Sequence, residues 1–145
     1  MDYSKFAYED YKYMLIAPNE EDYYNRKLSL GAECCEKLLK QLVTNETNCE
    51  PDKTHSQRAL LSKLITNEKY SKLRKYRALA SELTEIYFTR RYPSEGYFDL
   101  ASDEFEELYT SMLEYIKELV SYLPSDNRFY LEFYPPNTKT KKLEF

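Results

Sequence analysis

Residues 67–93 read NEKYSKLRKYRALASELTEIYFTRRYP, and the spacing within them sets the architecture. Leu73, Tyr76, Ala80, Leu83, Tyr87 and Arg90 recur at alternating steps of three and four, with Leu79 and Ile86 widening the stripe. That is the period of a helix with one buried face. Asn67 offers a capping side chain at its start. Pro93 ends it, because the residue before a proline is pushed out of helical geometry.

Working outward, the same period recurs on both sides. Toward the N-terminus, Thr54 or Ser56 caps a short helix carrying Leu60, Leu61, Leu64 and Ile65, and the polar stretch 44–53 (TNETNCEPDK) before it is a loop. A second helix over residues 20–44 is capped by Asn19. It lines up Tyr24, Leu28, Gly31 or Ala32, Cys35, Leu38, Leu39 and Leu42. Gly31 costs up to about 1 kcal/mol against Ala inside a helix, which a close helix–helix approach would offset. A first helix over residues 3–16 faces inward with Tyr3, Phe6, Ala7, Met14 and Leu15 and with Asp10 or Tyr11, and Pro18-Asn19 breaks it. Toward the C-terminus, residues 94–101 are a loop. Ser102, Asp103 and Glu104 open a fifth helix with an inner face of Phe105, Leu108, Met112, Tyr115, Leu119 and Tyr122.

The expectation is an all-α bundle over residues 1–123, its helices packed side by side and the second, fourth and fifth of similar length. After Pro124 the pattern changes. Residues 128–134 (RFYLEFY) alternate at period two, and Pro135, Pro136, Lys139, Lys141 and Lys142 follow. This reads as an extended tail over 124–145 that packs on the bundle or on a second subunit.

Composition supports helices over strands, since only two glycines are available for positive-φ turns in 145 residues. Sixteen tyrosines and no tryptophan give an interior of leucine with tyrosine at its margins. A net charge of −4 argues against a protein that coats nucleic acid indiscriminately. Three cysteines, two of them adjacent on a helix, make a structural disulfide between neighbours a poor expectation and point to a reduced, cytoplasmic setting. No zinc spacing, phosphate loop or serine elbow is present, so neither a metal nor another cofactor is expected. Acidic residues interrupt the N-terminal segment, and the longest aliphatic run is far short of a membrane span.

Several side chains could carry chemistry. Arg90, Arg91 and Tyr92 together offer a guanidinium clamp for phosphate and a ring for a base; cations in a last helical turn also simply offset the dipole. His55, at a helix start beside Lys53, Thr54, Ser56 and Arg58, suits an anion pocket or an ordinary packing role. Lys37 and Lys40 could line a groove or pair with Glu33 and Glu36 one turn back. Lys69, Lys72, Arg74, Lys75 and Arg77 interleave with Tyr70 and Tyr76, as a single-strand surface would, or mark a solvated face.

Three of these stretches occur together in a known order. Residues 31–40 (GAECCEKLLK) give small residues and then Glu-Lys-x-x-Lys. Residues 51–56 (PDKTHS), followed by Leu60-Leu61, give Pro…Thr-His before a short helix. Residues 87–93 (YFTRRYP) resemble a Tyr-x-x-Arg-Tyr-Pro helix ending. In this order the three resemble the HEPN (higher eukaryotes and prokaryotes nucleotide-binding) domain family, over residues 3–123. The resemblance implies a four- to five-helix up-and-down bundle that homodimerises and a cleft for a nucleotide or RNA. That cleft would be lined by Arg91, Tyr92 and His55, with Arg90 and Lys37 nearby. It also implies association with a nucleotidyltransferase or a toxin–antitoxin system. The family's ribonuclease branch uses an Arg, four to six intervening residues and then a His, usually on the last helix. Here the one histidine has no arginine so placed, and the fifth helix has neither residue. A non-catalytic binding module is therefore the first expectation. The alternatives are an altered metal-independent ribonuclease or a purely protein-interacting dimer.

Overall fold

The computed structural model describes residues 2–89 and 100–136. Its helices are α1 (Tyr3–Ile16), α2 (Tyr24–Thr47), α3 (Gln57–Leu64), α4 (Arg77–Thr89), α5 (Ser102–Val120) and α6 (Arg128–Phe133), and no strand occurs among the described residues. α2 is the central rod, and α1, α3, α4 and α5 all pack on it. Leu28, Cys35, Leu38, Leu39 and Leu42 of α2 are sealed from solvent, as are Leu61, Leu73, Leu83, Phe105, Met112, Tyr115 and Leu119 from its neighbours. No helix among the described residues is long and apolar enough to cross a membrane.

Gly31 sits where three helices meet. A Cβ added there would lie 2.2 and 2.3 Å from the Met112 thioether of α5 and 3.0 Å from the Met14 sulfur of α1. The glycine is the contact point that lets α5 and α1 approach α2. Lys27 holds the same corner. Its ammonium donates to the carbonyls of Met14 (2.9 Å) and Ala17 (2.7 Å), closing the C-terminus of α1 from α2.

Several local expectations are corrected. α1 buries Ser4, Ala7, Tyr11 and Met14, while Phe6 and Leu15 face solvent, because the inward stripe is rotated toward Tyr11. Asn19 caps nothing; its amide donates to Glu106 of α5, and a 3₁₀ turn (Glu21–Tyr23) leads into α2. α2 runs to Thr47, three residues into the expected loop, and ends on Asn48 at φ 55°. The fourth helix is divided. Asn67 does cap its start, accepting from the Lys69 amide, yet Glu68–Tyr76 is 3₁₀ and only Arg77–Thr89 is α. Tyr70, Leu73 and Tyr76, at intervals of three, share one side of the 3₁₀ segment. The described part of α4 is 13 residues, against 24 for α2 and 19 for α5. Ala101 is the N-cap of α5, and Glu104 reaches back to its amide at 3.3 Å.

The tail is the largest correction. Arg128–Phe133 is helical, not extended. Asn127 caps it by accepting from the amides of Phe129 (2.8 Å) and Tyr130 (3.3 Å). Phe129 is buried against Tyr8 and Tyr11 of α1, and Phe133 reaches Tyr11 as well. The expected end of the fourth helix at Pro93 and the loop that follows lie outside the described residues.

Candidate functional site

The loop between α2 and α3 carries His55, and local hydrogen bonds hold it in place. Thr54 Oγ1 accepts from the Ser56 amide at 3.0 Å, and Ser56 Oγ caps α3 through the Ala59 amide at 3.2 Å. The next residue, Gln57, is wholly buried and ties the loop to two helices: its amide N–H donates to Thr84 Oγ1 of α4 and its side chain to the Ala32 carbonyl of α2. His55 thereby stands over the α2–α4 seam.

Glu36 of α2, only 7% exposed, meets His55 Nδ1 at 3.0 Å through Oε1 and Lys40 Nζ at 3.4 Å through Oε2. A carboxylate only accepts, so this contact places a proton on Nδ1 and leaves a lone pair on Nε2 when the ring is neutral. Tyr87 of α4 stacks on the imidazole, with centroids 4.2 Å apart and planes 20° from parallel, and its hydroxyl lies 3.2 Å from Nε2. Near-parallel planes put that hydroxyl above the ring, off the axis of the in-plane lone pair, so the bond is a weak one. Phe88, 60% exposed, stands perpendicular to both rings.

Of the residues expected at a site, His55 is at this cluster. Lys37 is not: its ammonium pairs with Asp10 of α1 instead of Glu33 or a ligand groove. Burial holds the Asp10 carboxyl above the usual range even against that lysine. Arg90, Arg91 and Tyr92 lie outside the described residues. Sequence reading missed Glu36, Tyr87 and Phe88 as partners of His55, and treated Lys40 as one half of a solvated pair. The signal present was positional: Glu36 and Lys40 are the outer members of Glu-Lys-x-x-Lys, and Tyr87 opens the third stretch. The three separated stretches converge on one imidazole.

Other candidates are less suited to an anionic ligand. Tyr70 is buried and Tyr76 stacks on Tyr115, so the aromatics of the basic 3₁₀ segment face inward, and Lys69 pairs with Glu46. A groove between α4 and α5 is rimmed by Glu82, Glu104, Glu107 and Glu114, which would repel phosphate. Burial pushes the Cys34 and Cys35 thiols far up, so both stay protonated and unreactive. Among the described residues no group of three His, Cys, Asp or Glu side chains is placed to hold a metal ion.

The family model for the HEPN domain matches residues 3–125. The chain belongs to the HEPN family. No curated protein and no solved structure matches it. The HEPN match spans all three stretches and every residue of the His55 cluster and stops before α6. Membership links the chain, in general terms, to nucleotide- and RNA-related function.

Proposed function

We propose that this HEPN domain is a non-catalytic module that binds a nucleotide or an RNA end at the His55 cluster and works as a homodimer. One observation carries the reading: Glu36 with Lys40, His55, and Tyr87 come from three distant stretches and meet at a half-exposed imidazole. The described part of the cluster is nearly charge-balanced, because Glu36 offsets Lys40. It therefore supplies ring faces and hydrogen bonds, and the phosphate falls to Arg90 and Arg91, three and four residues after Tyr87 in the chain. Tyr92 adds a second ring. A nucleotidyltransferase or a toxin–antitoxin partner is the natural associate of such a module.

Calorimetry with ATP, GTP, NAD and short RNA tests this. Heat that disappears in Arg91→Ala and in His55→Ala is the expected result, with a solution mass of two chains; no heat with any of the four ends the reading. A second reading, an altered metal-independent ribonuclease, is favoured by the Glu36–His55 contact, because a carboxylate that orients an imidazole is how a general base is presented. It requires RNA cutting that vanishes in His55→Ala. Cutting that survives that change excludes it.

A further inference from the structure

We propose that Phe88 is a stacking residue that seats one nucleobase in the corner it makes with the His55–Tyr87 pair. The inference rests on the nucleotide-binding reading above and assigns it a residue and a mode. Phe88 is the next residue after Tyr87 on α4, where the helix turns one ring onto the imidazole and the other out to water. Its plane lies at 82° to His55 and 84° to Tyr87, with centroids at 6.3 and 5.1 Å. Two walls at right angles are thus present, one a phenyl and the other a stacked imidazole–phenol pair.

A flat heteroaromatic ring fits such a corner in a way an aliphatic side chain does not. It can lie against one wall while its edge hydrogens point at the face of the other. The imidazole is fixed by Glu36 and Tyr87 and does not have to be ordered on binding, which lowers the entropic cost. Phe88 is not needed for the core: α4 buries Ala80, Leu83 and Ile86 on its other side. Because stacking tolerates any base and grows with ring area, the corner favours purines over pyrimidines.

The experiment uses the whole chain with ATP, UTP and inorganic tripolyphosphate, and the variants Phe88→Ala and Phe88→Trp. Phe88→Ala should weaken ATP roughly 5- to 100-fold and leave tripolyphosphate unchanged. Phe88→Trp should keep ATP affinity, and the single tryptophan it introduces into a chain without one should be quenched on binding. Wild-type ATP binding that Phe88→Ala does not weaken overturns the stacking role while sparing the binding module. A drop in melting temperature or a change in solution mass for Phe88→Ala assigns the ring to packing or to a protein contact and overturns it too. Absence of ATP and UTP binding by the wild type overturns the base seat, and the binding module then stands or falls on GTP, NAD and short RNA.

Discussion

At the scale of single residues, two positions show how much chemistry a one-letter code reveals. Gly31 was readable: a glycine inside a leucine stripe is unfavourable unless a neighbour needs the space, and Met112 and Met14 fill it. Both methionines are sealed from solvent, so neither thioether can swing away freely. Gly31→Val is expected to lower stability by about 1–3 kcal/mol despite the better helix propensity of valine, as a fall in the urea midpoint at unchanged slope. An unchanged midpoint would mean that the methionines repack without strain. His55 was also readable as a residue of interest, but not its partners. Glu36 lies 19 positions before it and Tyr87 32 after it, and only tertiary packing shows that they meet. Lys37 illustrates the reverse error. Its neighbour Glu36 faces the imidazole, while Lys37, about 100° further round the helix, faces α1 and finds Asp10.

At the scale of elements, the helices were legible where the period was long and became ambiguous where it was short. Six residues cannot separate period two from period 3.6. In α6, Phe129 and Phe133 alternate along a strand and also stand one helical turn apart, and the Asn127 cap decides for the helix. Division of the fourth helix was not legible in the spacing: Tyr70, Leu73 and Tyr76 stand at intervals of three in the 3₁₀ part, and Ala80, Leu83 and Ile86 at the same interval in the α part. The end of α1 depends on another element altogether. It carries no basic residue in its last turn, and Lys27 of α2 supplies the cation from inside the core, over the ring of Tyr109 at 5.0 Å. Lys27→Met keeps the apolar stem but orphans two carbonyls, so a loss of about 2–3 kcal/mol is expected, with faster amide exchange in the last turn of α1 than elsewhere. Uniform exchange across the bundle would assign the loss to packing instead.

The docking of α6 on α1 has its own pH dependence. Lys12 donates to Glu132 at 2.8 Å and the Tyr8 hydroxyl adds a second bond, and the lysine, with that hydroxyl, holds the Glu132 carboxyl below the usual range. A carboxyl whose folded pKa is depressed stabilises the fold above its unfolded value and loses that contribution as pH falls through the folded one. The contact is exposed and screened by solvent, so acid should loosen α6 before it unfolds the bundle. Proteolysis or amide exchange of residues 128–133 below pH 4 would show this, and Glu132→Gln should remove the pH dependence. Equal protection of α6 at pH 3 and pH 7 would mean that the burial of Phe129 alone holds it.

For the whole molecule, the tyrosines set the alkaline limit. Tyr115 is sealed in the core against Tyr76, and Tyr70 is buried with its hydroxyl on Glu46 at 2.6 Å. Burial raises both phenols well above their ordinary value, and the Glu46 carboxylate pushes Tyr70 further in the same direction. When the folded pKa of an acid exceeds its unfolded value, the folded state holds more protons between the two, so stability falls as pH rises through that interval. The bundle should therefore begin to lose stability above about pH 8.5, where the unfolded thiols of Cys34 and Cys35 ionise, and lose helicity cooperatively above about pH 10, where unfolded phenols follow. Absorbance at 295 nm should rise in two stages, exposed tyrosines first and the buried pair only together with the loss of the helical signal at 222 nm. Tyr115→Phe removes one fully sealed phenol from the interior and should move the alkaline midpoint upward, while leaving the acid loosening of α6 where it was. If all sixteen phenols ionise with the helical signal intact, water reaches Tyr70 and Tyr115 without unfolding, and the packing of the 3₁₀ segment on α5 is looser than the Tyr76–Tyr115 stack requires.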